Sequence, residues 1–269
     1  MKRTFLSMLA VFTTAAVLIP STAFAQIPLG TSQSFAVLGG SAVSNTGPSV
    51  ITGDLGTSPS LAVTGFPPGI VGGGTIHAGD ATAAQAQADL TTAYNTAAGM
   101  PCGVDLSGQD LGGLTLTPGV YCFTSSAALT GTLTLNFQGN PNAFFLFKIG
   151  STLTTASASA VTLINNGGVA CPANLFWQVG SSATFGTGSA FKGNVMALTS
   201  ITLTTGANLI GRALARNGAV TLDTNSVSAA ACTVATSGPS IPAISSVGML
   251  MLMLFFAAAG LFFVKRSAH

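Results

Sequence analysis

His77 and Asp80 are the first residues in this chain whose types and spacing suggest chemistry. A histidine and a nearby carboxylate can move a proton or supply two ligands to a metal. The same pair also suits a helix start, with Asp80 capping free N–H groups ahead of an alanine-rich run. The capping reading is preferred, because nothing else reactive accompanies the pair. Asp105 and Asp110 flank Leu106-Ser107-Gly108-Gln109, a turn-like stretch. The glycine-rich "GIVGGGT" (69–75) lacks the Lys-Ser/Thr that a phosphate-binding loop needs. No serine has a clear His–Asp partner set. Catalysis is therefore not expected, and neither a metal nor a cofactor is expected.

The four cysteines, Cys102, Cys122, Cys171 and Cys232, fit no usual zinc spacing. Three disulfide connectivities are open to them. The pairing expected is Cys102–Cys122 and Cys171–Cys232, since the first two lie about one repeat apart.

The two ends read as address labels. Residues 1–25 have Lys2-Arg3, an apolar run and Ala23-Phe24-Ala25, the pattern of a signal peptide. Residues 235–246 form a polar, proline-containing linker. Residues 247–264 are apolar and precede a basic tail, 265–269. As a helix, 247–264 would span about 27 Å, enough for a bilayer. This end resembles the bacterial C-terminal sorting tails that begin with Ile-Pro, here "IPAISSVG" with Ala243-Ile244 in place of the usual Thr-Leu. Export is expected, with the product extracellular or held at a bacterial surface. A membrane partner follows if the apolar helix is not removed.

Between the labels lies one domain, 26–234. Its charges are Lys148, Lys192, Arg212 and Arg216 against six aspartates, with no glutamate. The net positive balance of the whole chain comes from its ends and is no sign of nucleic-acid binding. A long, apolar-rich chain with so few charges is not disordered. Rich in Gly, Ala, Ser, Thr and Val, it is expected to be mainly β, with small side chains and many tight turns.

A repeat supports this. The stretches "LFKIGSTLTTASA", "FWQVGSSATFGTGSA", "VMALTSITLTTGAN" and "ALARNGAVTLDTNSV" align on Leu153, Phe185, Leu203 and Leu222. The steps are 32, 18 and 19 residues, and the long one contains "INNGGVACPA", read as an extra loop. A unit near 18–20 residues suits one coil of a β-solenoid with three strands and three corners; a β-sandwich is the alternative. The alignment gives three columns: Thr155, Thr187, Thr205, Thr224; Thr154, Gly186, Thr204, Asp223; and Ala158, Ala190, Asn208, Val227. Periodicity leaves open which column faces out, and an inward threonine ladder remains possible. One helix, about 78–98, interrupts the strands. Its apolar stripe is Ala83, Ala86, Leu90, Ala93, Tyr94 and Ala97, and Gly99 and Pro101 end it.

With these elements in place, "FAVLGGSAVSNTGPSVITGDLG" (35–56), "GFPPG" (65–69), "TIHAGDATAAQAQADLTTAYNTAAG" (75–99) and "LTPGVYCF" (116–123) resemble landmarks of the bacterial and fungal ice-binding (antifreeze) proteins. The resemblance spans roughly 30–232. It implies a three-sided, discontinuous β-solenoid with the helix packed alongside; the apolar runs at the two ends are read as terminal apolar helices outside it. It also implies ice binding on a flat face of parallel strands. Some family members carry T-A/G-x-T/N there, which Thr205-Gly206-Ala207-Asn208 fits in full. Thr187-Gly188-Ser189-Ala190 and Thr155-Ala156-Ser157-Ala158 fit its first half, and Thr224 keeps the threonine alone. The ice-binding residues so implied are Thr154, Thr155, Thr187, Ser189, Thr204, Thr205, Asn208 and Thr224. The expected partner is ice or an ordered water surface, bound by a monomer. A surface adhesive or structural domain binding something other than ice is the alternative.

Overall fold

The computed structural model describes residues 27–168 and 173–229. They form a three-sided solenoid of parallel strands. Each coil contributes short strands whose apolar residues alternate inward, and the Gly-, Ser- and Asn-rich links turn the corners. A 15-stranded sheet covers two sides and a seven-stranded sheet the third. Strands Ala190–Ala197 and Asn208–Ala215 run through both sides of the larger sheet. They bend at Gly193 and Gly211, whose φ angles are +110° and +147°. A Cβ on Gly211 would stand 1.9 Å from the Gly193 carbonyl oxygen, so only glycine fits this bend.

The stacking order is not the chain order. In the seven-stranded sheet the sequence is Ala127–Leu129, Leu153–Thr155, Ala183–Phe185, Ile201–Leu203, Ala219–Asp223, Ala42–Thr46, Val63–Thr64. The first coils of the chain thus stack beyond the last one, as the discontinuous solenoid requires. Ala42–Thr46 pairs with Ala219–Asp223 over its full length.

The interior holds a ladder of aromatic residues from successive coils. Tyr121, Phe147 and Trp177 are level on adjacent strands. The Phe147 and Trp177 rings stack at 4.0 Å between centroids. Trp177 donates its indole N–H to the Lys192 carbonyl, so its one polar atom is satisfied.

The helix runs Ala81–Gly99. Asp80 is its N-cap and accepts from the Ala83 N–H. The helix stops ahead of Pro101, where Met100 is already extended. Its buried residues are Ala83, Ala86, Leu90, Ala93, Tyr94 and Ala97, the stripe read from the sequence. They pack on Phe35, Leu38, Val120, Leu146, Phe176, Met196 and Leu214. Alanines on this stripe let the helix lie close, and one side of the solenoid is covered.

Cys102 and Cys122 form a disulfide. Cys171 and Cys232 lie outside the described residues, as do the signal segment, the linker and the apolar stretch 247–264. Among the described residues no helix is long and apolar enough to cross a membrane.

Candidate functional site

The three-residue strands of the seven-stranded sheet each present one outward residue between two inward ones. The register places Ala128, Thr154, Thr184, Thr202, Thr221, Ser44 and Thr64 in one line. Neighbouring strands stand about 4.8 Å apart, so from Thr154 to Thr64 a hydroxyl recurs at that interval, with a methyl beside it at every rung but Ser44. The inward neighbours are apolar: Leu153, Ala183, Ile201, Val220 and Val43 are fully buried. The β-branched threonine suits this position, because its stiff χ1 holds hydroxyl and methyl in a set orientation. The hydroxyls of Ser44 and Thr221 lie 3.4 Å apart.

Beside this column runs a corner row. The Ala158, Gly188, Gly206 and Thr224 N–H groups donate to the carbonyls of Thr187, Thr205, Asp223 and Thr46. Residues Ser157, Thr187, Thr205, Asp223 and Thr46 therefore stack in line. The donors Ala158, Gly188, Gly206 and Thr224 all have left-handed backbones, with φ of +56°, +65°, +69° and +55°.

This register corrects the sequence alignment of the first coil. Leu153 pairs with Ala183, not Phe185, and Thr155 stands in line with Phe185. Thr155 is 3% exposed, and its hydroxyl accepts from the Gly186 N–H. It is a core residue, as the inward-ladder alternative required, and cannot face a surface. Ser189 is likewise fully buried. It belongs to an inward corner line with Ser159, Ala207 and Asn225, all buried. Asn225 donates to the carbonyls of Thr204 and Ala207, tying two coils together. The third column also changes: Ala190 pairs with Ala160, and Asn208 with Ser226. Val227 points into the core.

The other sequence-derived candidates are placed as follows. Thr154 is exposed in the central column. Thr187 and Thr205 are exposed in the corner row. Thr204 is half-buried and donates to the Phe185 carbonyl. Asn208 lies past the corner, at the start of the next face, where its side-chain oxygen accepts from the Ser226 N–H. Thr224 is a corner residue whose hydroxyl donates to Asp223. Thr184, Thr202, Thr221, Ser44 and Thr64 were missed. For Thr184, Thr202 and Thr221 the signal was the recurring apolar-Thr-apolar triplet, as in Ala183-Thr184-Phe185 and Ile201-Thr202-Leu203; Ser44 and Thr64 lie in no such triplet.

Charge is nearly absent from this face. Asp223 lies in the corner row, and Asp110 bridges to Ala128 at the end of the column. Asp110 is spent on the end turn, accepting from the N–H groups of Gly112 and Thr130. The remaining open face of the solenoid is less uniform. Its outward positions include Lys192, level with Ile210, and the exposed Val50 and Ile70. The Lys192 ammonium is held below its usual pKa by the desolvation that its partial burial imposes. His77 and Asp80 meet at 2.7 Å at the helix start, where Asp80 also caps the helix through the Ala83 N–H.

The comparisons with known proteins agree with the fold. A family model described as ice-binding-like matches residues 37–228. An ice-binding protein of Nostoc sp. (strain HG1) is 62% identical over 206 residues, covering 76% of this chain and 75% of that one. The crystal structure of an ice-binding protein from an Antarctic biological consortium superposes with a TM-score of 0.73 at 50% identity, over 80% of this chain and 96% of the other. The ice-binding protein of Antarctomyces psychrotrophicus gives 0.72 at 40% identity, over 76% and 98%. This chain belongs to the ice-binding-like family.

Proposed function

We propose that this protein adsorbs to ice through its seven-stranded face, and that adsorption restrains ice growth and recrystallisation. One observation carries the reading: a single sheet of parallel strands bears an outward line of hydroxyl side chains, Thr154 to Thr64, most of them paired with a methyl, at the strand interval. Waters held along such a line take up a regular arrangement before any ice is met. Binding then engages many of them together with little further ordering to lose. The rigid parallel scaffold keeps the interval fixed. The helix-covered side is closed to a large flat partner, and the remaining side carries Lys192. The surface works by shape and water order, and we assign it no catalytic step. The binding residues on this reading are Thr154, Thr184, Thr202, Thr221, Ser44 and Thr64, flanked by Thr187 and Thr205.

We further propose that the protein is exported, with residues 247–264 holding it at the surface unless they are removed. Fractionating cells and blotting for the domain tests this: signal confined to the medium would reject anchoring. The adsorption reading is tested by thermal hysteresis and ice-crystal shape, comparing the parent with Thr202→Tyr. A freezing gap and faceted growth are expected for the parent, both lost in the variant without a change in melting temperature. A parent without a gap rejects ice adsorption. A variant with the full gap rejects this face.

A further inference from the structure

Asp223 breaks an otherwise neutral pattern. The corner row beside the threonine column reads Ser157, Thr187, Thr205, Asp223, Thr46, with a hydroxyl at every rung but one. The Asp223 side chain is on the same side of its strand as Thr221, since Leu222 between them points inward. Its Oδ2 accepts from the Thr205 hydroxyl at 2.5 Å and its Oδ1 from the Thr224 hydroxyl at 3.1 Å.

The consequence follows from donor and acceptor counts. A hydroxyl both donates and accepts, whereas a carboxylate only accepts. Water over a hydroxyl row finds both partners at each rung, as a tetrahedral network requires. At Asp223 it finds acceptors alone. The carboxylate also takes the protons of two neighbouring hydroxyls, so Thr205 and Thr224 turn their donors away from water. The charge adds a second cost, because its own hydration must give way when an ordered layer forms over it. The disturbance falls beside Thr221, on the strand where the last coil meets the first ones and level with Thr46.

We propose that Asp223 limits the activity of this face: it interrupts the ordered water between the C-terminal and N-terminal coils and holds adsorption below what the column alone would support. The proposal rests on the ice-adsorption reading above. Two variants of the full chain test it. Asp223→Asn removes the charge and restores donors at nearly constant shape; Asp223→Thr completes the hydroxyl row. Each is expected to show a larger freezing gap than the parent at equal concentration, with the melting temperature kept. Gaps equal to or smaller than the parent's in variants that melt normally would overturn the proposal. Should both melt early, Ala156 gives an independent test, being exposed at the flank of the column in a distant coil. There Ala156→Asp is expected to reduce the gap and Ala156→Asn to reduce it less; equal gaps would overturn the proposal. Thr202→Tyr run alongside separates the two ideas. If it abolishes the gap while the Asp223 variants change nothing, the face stands and the limiting role of Asp223 does not.

Discussion

Thr154 and Thr155 are adjacent, chemically identical and opposite in role. In a strand successive side chains point to opposite faces, so one of the pair must enter the core. Thr154 is exposed in the central column, and Thr155 is 3% exposed with its hydroxyl under the Gly186 N–H. The two therefore fail differently when changed. Thr154→Tyr should lose freezing-point depression while the melting temperature holds. Thr155→Ala leaves the Gly186 N–H without its buried acceptor, which costs about 1–3 kcal/mol. It should lower the melting temperature yet keep the freezing gap, since the assay runs where the fold survives. Hysteresis and calorimetry on the two variants check this, and an inverted result would mean that the faces are assigned the wrong way round. The sequence alone could not separate these residues. The repeat was aligned on apolar anchors, and in this coil the anchor position is the polar Thr155.

At the scale of elements, the helix was readable where the face was not. Its 3.6-residue stripe, its Asp80 cap and its closing Gly99 and Pro101 are all local signals, and the structure buries that same stripe. The sheet is set by pairings across the chain, which no local pattern records. Thr64 and Ser44 complete the column only because early coils stack on late ones. The helix also carries part of the fold's acid sensitivity, along with Asp105 and Asp110 in the turns beyond it, whose carboxyls are likewise held low. The Asp80 carboxyl is held below the usual carboxylate range, first by the Ala83 N–H and then by its bond to His77. The Thr31 N–H does the same for Asp89, fastening the segment before the first strand to the helix. Folded values lower than unfolded ones mean that this stabilisation is complete above the unfolded value, about 3.9. It is lost as pH falls from there through the folded values. Melting temperature should therefore be flat above about pH 5 and drop below about pH 4. The double variant Asp80→Asn, Asp89→Asn should show a shallower drop; an unchanged profile would place the sensitivity elsewhere.

At the scale of the whole described domain, the last coil stacks on the first ones, which joins segments far apart in the sequence. Ala219–Asp223 lies between Ile201–Leu203 on one side and Ala42–Thr46 on the other. Val220 and Leu222 are fully buried, as is Val43 of the neighbouring N-terminal strand. The N-terminal strand therefore rests on residues near the far end of the domain, and the face is continuous only while both are folded. Removing a buried leucine side chain from such a site costs roughly 2–5 kcal/mol, a large part of the 5–15 kcal/mol that holds an ordinary domain together. If the junction is one unit, that loss must appear on both sides of it. Leu222→Ala should then speed amide exchange in residues 42–46 as much as in 219–223. The aromatic end of the stack, at Phe145–Ile149, should be less affected in conditions where only local opening is seen. The reciprocal change, Val43→Ala, should speed exchange in 219–223, by a smaller amount because fewer methyl groups are lost. Faster exchange confined to the mutated strand would show that the coils open separately. The line of hydroxyls would then be two shorter surfaces meeting at Asp223, and its activity should fall toward that of the longer part whenever the junction opens.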